Sequence, residues 1–379
     1  MTQTVLDPKS REGRRLLQHV DLVLACTSIA VAVLGVAMVY SATQAKQQLN
    51  GADPQYFAKR QAIFVLLGLG AMLVTTVIDY HRFEEIGVLA YAGTVIGLVA
   101  VMSPLGSTAK GSQRWFQLSG FQLQPSSFAV VALILIVATY CRRVRGEIDA
   151  RRLVVLLVLS GVPMGLVAVQ PDLGTAIILG TVLLGMLVVV GVRLQHLALL
   201  TMLAVVAIVA VVHFGFLKQY QVDRLKAFVD PAHNGQQAAY NLEQSKTAIG
   251  AGGLFGRGLL HGTQTNLSFV PEQHTDFIFT AVGEQLGFVG GATLLALFGI
   301  MGWRIWRAAQ LSRDLFGTLL CAGVLSMLAV SVFENSGMTM GIMPITGIPL
   351  PLMSYGGSSV ISFFAAIGLA LNVEMRRFR

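Results

Sequence analysis

Asp276 stands in the run Thr275-Asp276-Phe277-Ile278-Phe279, where a long polar connection gives way to an apolar helix. Holding a carboxylate at the edge of a bilayer costs free energy, so an ionisable group there is a candidate for function by default. Asp is also a favoured helix N-cap, and capping is compatible with chemistry. The connection that leads to it carries cations suited to a phosphate-bearing partner, Arg224, Lys246 and Arg257, and an earlier connection carries Arg114. Lys246 and Arg257 flank a glycine cluster formed by Gly250, Gly252, Gly253, Gly256, Gly258 and Gly262. Such a cluster is either a flexible loop or a place where the backbone approaches a polar ligand closely. Its spacing fails the dinucleotide fingerprint, and no strand precedes it.

Three further polar constellations lie in otherwise apolar surroundings. Asp276, Thr280, Gly283, Glu284, Gly287 and Gly291 recur at helical spacing, and this stripe of small and polar residues is expected to face the bundle interior. Glu284 on that stripe is either a hydrogen bond between helices or a substrate contact. Pro344, Pro349 and Pro351 alternate with Gly341 and Gly347 ahead of Ser354-Tyr355-Gly356-Gly357-Ser358-Ser359, with Glu334-Asn335 upstream. Proline and glycine at membrane depth fit a broken helix lining a substrate cavity, which makes Ser354 and Tyr355 candidate substrate contacts. Gln170-Pro171-Asp172 marks a turn, where Asp172 is expected to cap a helix.

The elements that must position these residues follow from composition. Of 379 residues, 54% are hydrophobic and 12% charged, about half the charged share of a soluble domain. Apolar runs near the ~20 residues that cross a bilayer recur throughout. Ten are expected, at about 22–41, 61–78, 86–103, 125–140, 153–169, 173–191, 197–216, 276–303, 315–335 and 352–372. The chain is thus read as a single all-α polytopic membrane domain over 1–379, with residues 1–21 and 373–379 at one face. A long extracytoplasmic loop, 217–275, separates the seventh and eighth spans, and short amphipathic helices joined by glycine turns are expected in it.

The net charge of +8 reports topology, which excludes nucleic acid as a partner. With the N-terminus cytoplasmic, 17 of the 27 Lys and Arg residues fall on the inner side and ten on the longer outer segments. The inner ones include Arg11, Arg14, Arg15, Arg142, Arg143, Arg145, Arg304, Arg307, Arg376 and Arg379. That bias sets both termini in the cytoplasm. The first apolar run is too long for a signal-peptide core and is expected to remain. Cys26, Cys141 and Cys321 are scattered, which points to neither a disulfide framework nor a metal site.

Longer motifs carry a resemblance. Pro271-Glu272-Gln273-His274-Thr275-Asp276-Phe277-Ile278-Phe279 with Gly283-Glu284-Gln285-Leu286-Gly287-Phe288 closely resembles the SEDS family of bacterial cell-wall polymerases. So do the stretch from Gly337 to Pro351 running into Ser354-Tyr355-Gly356-Gly357-Ser358, the run Gln170-Pro171-Asp172-Leu173-Gly174-Thr175, Gln244-Ser245, and Gly111-Ser112-Gln113-Arg114-Trp115. The match covers nearly the whole chain and is nearer the elongation branch than the division branch. It implies a peptidoglycan glycosyltransferase that polymerises lipid II into glycan strands at the outer face of the bacterial cytoplasmic membrane. It also implies a class B penicillin-binding protein as transpeptidase partner, alongside other membrane proteins of the elongation complex. Gln244, Ser245, Glu284, Ser354 and Tyr355 join the four cations as expected substrate contacts.

The expected chemistry is inverting glycosyl transfer. A carboxylate on the attacking side commonly serves as base, and Asp276 suits that role on the acceptor hydroxyl. The departing pyrophosphate would be met by Lys246, Arg257, Arg224 or Arg114, with Mg2+ or Mn2+ as a candidate aid and no organic cofactor. The family reads Gln-Pro-Ser-Glu with a Lys three residues after the Glu, whereas Ser127 and Val130 stand there in this chain. Two rival readings stay open: a flippase for lipid-linked precursors, which broken helices and polar membrane faces would serve equally well, and a catalytically weak scaffold that activates a penicillin-binding protein, to which the lost pair gives weight. Polar residues gathered in the outer half favour a surface enzyme over a flippase.

Overall fold

The structure, a computed structural model, describes residues 20–109, 112–118, 121–144, 148–213, 219–229 and 237–377. Arg11, Arg14, Arg15, Gly111, Arg145 and Arg379, named above, lie outside the described residues. Seven helices come first: α1 (Leu22–Leu49), α2 (Tyr56–Val77), α3 (Tyr80–Val101), α4 (Pro125–Arg143), α5 (Ala150–Val169), α6 (Leu173–Val190) and α7 (Leu194–His213). The long connection then contributes α8 (Gln219–Val229), α9 (Gln237–Gly252) and the single turn α10 (Thr263–Asn266). Three more long helices close the bundle, α11 (Ile278–Leu311), α12 (Leu315–Met340) and α13 (Gly357–Met375). Nine helices among the described residues are long and apolar enough to cross a membrane, and α7, apolar over Leu194–Ala207, takes the place of the expected tenth.

One connection holds strands, and one expected boundary needs correction. The connection between α3 and α4 is a small antiparallel sheet, β1 (Ser107–Ala109), β2 (Ser112–Leu118) and β3 (Phe121–Leu123). The short alternation Gln113-Arg114-Trp115-Phe116 pairs locally, as when Phe116 stands opposite Leu123. The last span begins at Gly357 rather than near 352, because Gly341 ends α12 in a left-handed cap and residues 342–356 run irregularly across the bundle. Pro344, Pro349 and Pro351 account for this, since proline withholds a backbone N–H and excludes the helical conformation from the residue before it.

Helix ends are set by acids: Asp21, Asp79, Asp149, Asp172 and Asp314 each accept a backbone N–H as N-cap. Arg304 holds Asp21 at 2.5 Å and Glu374 at 3.4 Å, tying the starts and ends of α1, α11 and α13 together. Burial opposes the charge of Asp21, but hydrogen bonds from Arg304 and the Leu24 N–H hold its carboxyl below the usual range. The core is continuous along α4, α12 and α13, whose inward side chains include Leu133, Ile134, Phe316 and Phe364, all fully buried.

In the long connection, α9 packs against α11 and α12. Contact with α11 is close: a Cβ on Gly252 would stand 1.9 Å from the Gly283 carbonyl oxygen, so only glycine fits. Every residue of α11 from Ile278 to Gln285 is buried, the polar Thr280 and Glu284 among them, while Phe288 is exposed. The helix kinks at Gly287, whose φ is 67°.

Candidate active site

The kink explains the glycine cluster. With the helical ladder open at Gly287, Phe288 N–H donates to Gly253 O at 2.8 Å and Val289 N–H to Leu254 O at 3.0 Å. In return, Arg257 N–H donates to Glu284 O and Gly258 N–H to Gln285 O, both at 3.0 Å. Gly253, Gly256 and Gly258 all have positive φ, as this backbone pairing requires. These glycines pair the loop with the kink, and that local cause suffices for them.

Glu284 is drawn into the same loop. Its carboxylate accepts from Gln264 N–H at 2.7 Å, Thr265 N–H at 3.0 Å and the Thr265 hydroxyl at 2.7 Å. This corrects its assignment as a substrate contact: the group is fully buried, and it caps α10. Gln273 lies beside it, donating to Thr265 and Thr280 hydroxyls at 3.1 and 3.0 Å.

Asp276 lies one residue before the cap position of α11, which Phe277 holds without a side-chain hydrogen bond. Its backbone is held from three directions. Asp276 N–H donates to Glu272 O at 3.2 Å. Tyr355 N–H donates to the neighbouring His274 O at 2.9 Å. Asn335 of α12 donates its amide to Asp276 O at 2.8 Å. Beside the carboxylate runs the irregular 342–356 segment: a Cβ on Gly347 would lie 3.2 Å from Asp276 Oδ2 and 3.3 Å from Arg224 Nη1. Acid and guanidinium therefore meet at Gly347, no farther apart than those two distances together.

Arg224 is delivered by α8, which docks on the Gln170-Pro171-Asp172 turn. Tyr220 donates to Pro171 O at 3.0 Å, and Arg224 lies 5.7 Å over the Tyr220 ring. Arg114, from β2, donates to Gln170 O at 2.8 Å and to Pro171 O, and stands 3.6 Å from Asp172 Oδ1. Its planar fork is thus engaged by the turn, which corrects its placement among the phosphate-facing cations. Asp172 is a cap, as expected, accepting from Thr175 N–H at 3.3 Å, and it also accepts from Gln124 and Ser126 at 3.2 Å.

The other expected contacts scatter. Arg257 is exposed and donates to Ala251 O at 3.0 Å and to the Thr263 hydroxyl at 3.2 Å, within its own loop. The Lys246 stem lies against the left-handed cap of α12, its Nζ 2.7 Å from where a Gly341 Cβ would stand. Gln244 is half-buried on α9, while Ser245 is fully buried and donates to Thr339 O at 2.7 Å. Ser354 is also structural, accepting from Leu350 N–H at 2.8 Å while its carbonyl accepts from Gln61 at 3.1 Å. Both serines are withdrawn as substrate contacts, since each hydroxyl is buried and engaged. Tyr355 keeps a place beside the site, its ring 5.6 Å from His274 and 5.2 Å from Phe57. Burial raises its hydroxyl pKa, an effect that Arg60 partly offsets.

Where the family carries its Glu and Lys, Ser127 is half-buried and Val130 is 2% exposed in the apolar core. Among the described residues no three His, Cys, Asp or Glu side chains gather to hold a metal. Asp276 has Arg224 near it. A Mg2+ or Mn2+ at this carboxylate would draw its other ligands from water and from substrate phosphates.

Comparison with known proteins agrees with this architecture. The model of the FtsW, RodA and SpoVE family, described as cell cycle protein, matches residues 21–378. The chain is 38% identical over 371 residues to the probable peptidoglycan glycosyltransferase FtsW of Trichlorobacter lovleyi, covering 96% of this chain and 95% of that one. It is 36% identical over 360 residues to the peptidoglycan glycosyltransferase MrdB of Escherichia coli K12, covering 95% and 94%. Among solved structures, a chain of a peptidoglycan synthase complex superposes with a TM-score of 0.80 at 29% identity, covering 95% and 99%. The rod shape determining protein RodA of Thermus thermophilus superposes at 0.70 and 27% identity, covering 95% and 98%.

Proposed function

We propose that this chain, which belongs to the FtsW, RodA and SpoVE family, is a multi-pass membrane peptidoglycan glycosyltransferase that polymerises lipid II at the outer face of the bacterial cytoplasmic membrane. The observation that carries the reading is the meeting of Asp276 and Arg224 at Gly347, between the start of α11 and the broken segment before α13.

The reaction joins an acceptor hydroxyl to an anomeric carbon that leaves its pyrophosphate. Asp276 takes the proton from the acceptor hydroxyl as the oxygen attacks, an assistance that typically contributes about 10²–10⁴-fold. The bond from the anomeric carbon to the pyrophosphate oxygen breaks on the opposite face, so the centre inverts. The bonding electrons leave with the pyrophosphate, whose charge Arg224 meets. A guanidinium presents two parallel N–H groups to such an anion. Lys246 and Arg257, on the outer connection, contribute to the field that draws the substrate in. The products are a glycan strand longer by one unit and a lipid pyrophosphate.

The partner under this reading is a class B penicillin-binding protein that crosslinks the strand, with other elongation-complex proteins around it. The superposition on a chain of a peptidoglycan synthase complex supports that. The test is polymerisation of labelled lipid II by the purified chain, with and without the partner, beside Asp276→Asn. Glycan made by wild type and not by the variant is expected. Glycan made equally by both would discard Asp276 as the base, and none from either would favour the scaffold reading.

A further inference from the structure

Two irregular segments must hold still for Asp276 to meet its substrate: the turn that ends in Asp276, and the 342–356 segment that carries Gly347. Neither has a helical ladder of its own at the point of contact. One side chain bridges them. Asn335, fully buried on α12, donates from its single amide nitrogen to Asp276 O at 2.8 Å and to Ile348 O at 2.7 Å. The two carbonyls lie 59 residues before it and 13 residues after it, so no local element fixes their separation.

We infer that Asn335 is a positioning residue for glycosyl transfer, which sets the Asp276 carboxylate relative to the Gly347 backbone without touching substrate. The chemistry of the amide is specific. Its nitrogen carries two hydrogens in one plane, suited to two carbonyl acceptors. A leucine of the same shape carries none, and an ionised aspartate turns oxygen toward oxygen. The bond to Ile348 O is buried and the bond to Asp276 O partly so, and where water is excluded a lost donor is not replaced and the segments shift instead. A misplacement of about 1 Å at a reacting group can lower a rate by about 10²-fold. Uniform binding is a different quantity: substrate contacts on the outer connection do not pass through Asn335, so affinity should hold while turnover falls.

The inference rests on the function proposed above, and the experiment separates the two. Asn335→Leu and Asn335→Asp are purified with the partner, checked for thermal unfolding and partner association, and assayed across lipid II concentrations beside Asp276→Asn. Each folded Asn335 variant should lose at least about ten-fold in kcat with an apparent KM within about two-fold of wild type. Wild-type kcat in a folded variant, or a loss carried by KM alone, overturns the inference. Should neither variant fold, Asn335 belongs to the scaffold and the inference is equally overturned. Wild-type turnover by Asp276→Asn would instead remove the proposed base, whatever Asn335 does.

Discussion

A Cβ on Gly347 would stand 3.2 Å from Oδ2 of Asp276, and the backbone at Gly347 has a φ of 78°. Both facts disfavour a side chain there. The left-handed conformation costs an alanine about 1–2 kcal/mol. The methyl group would also press on the acid and on Arg224. Gly347→Ala should therefore insert and bind its partner but polymerise lipid II at least about ten-fold more slowly. Wild-type turnover would show that the segment is not part of the site.

Asp276→Ala should fold and associate normally yet make no measurable glycan, because Asp276 lies before the cap position of α11 and outside its buried core. Glycan yield and melting temperature, read on the same preparation, check it. A variant that loses stability as well as activity would point to a structural role.

Glu284→Gln should act through the loop. The amide keeps one acceptor oxygen and turns its NH2 toward the other of the two N–H groups, of Gln264 and Thr265, from which Glu284 now accepts. Charge-assisted bonds of this kind contribute about 1.5–3 kcal/mol each. A lowered melting temperature and faster proteolysis between Leu254 and Asn266 are expected. An unchanged protease pattern would refute the capping role.

Ser127→Glu and Val130→Lys should each do harm, since one unpaired charge is then placed in or beside a core where Val130 is 2% exposed. An uncompensated buried charge costs about 3–5 kcal/mol. The double variant should be better tolerated than the two losses combined, as coupled neighbours are. A fully additive cycle would mean that the two positions do not meet in this chain.

Orientation can be tested by labelling single cysteines. A side chain at Gly262 would stand 2.8 Å from Glu284 Oε2, which makes that glycine a poor probe. Gly250, with open space around it, and the exposed Arg151 are better. Gly250→Cys should react from outside and Arg151→Cys from inside; reaction of both from one side refutes the topology.

The spans were legible because a bilayer imposes length and apolarity on each, and those are properties of contiguous residues. The long connection before α11, the Asp172 cap and the place of Asp276 where that connection meets a helix were legible for the same reason: each is a departure from the local pattern. What could not be read was which polar groups meet. Arg114, Arg257, Lys246 and Arg224 are equivalent as charges in a sequence, yet only Arg224 is brought to Gly347 and Asp276. Glu284 and Asp276 share one helical face, and packing sends the first into a loop cap. Asn335 looked like one more polar residue near a proline-rich stretch, although its amide joins a carbonyl 59 residues before it to one 13 residues after it. Period and composition act along the chain. Pairing of carboxylate, guanidinium and carbonyl is decided by the crossing of α9, α11 and α12 and by the kink at Gly287, which only the folded bundle determines.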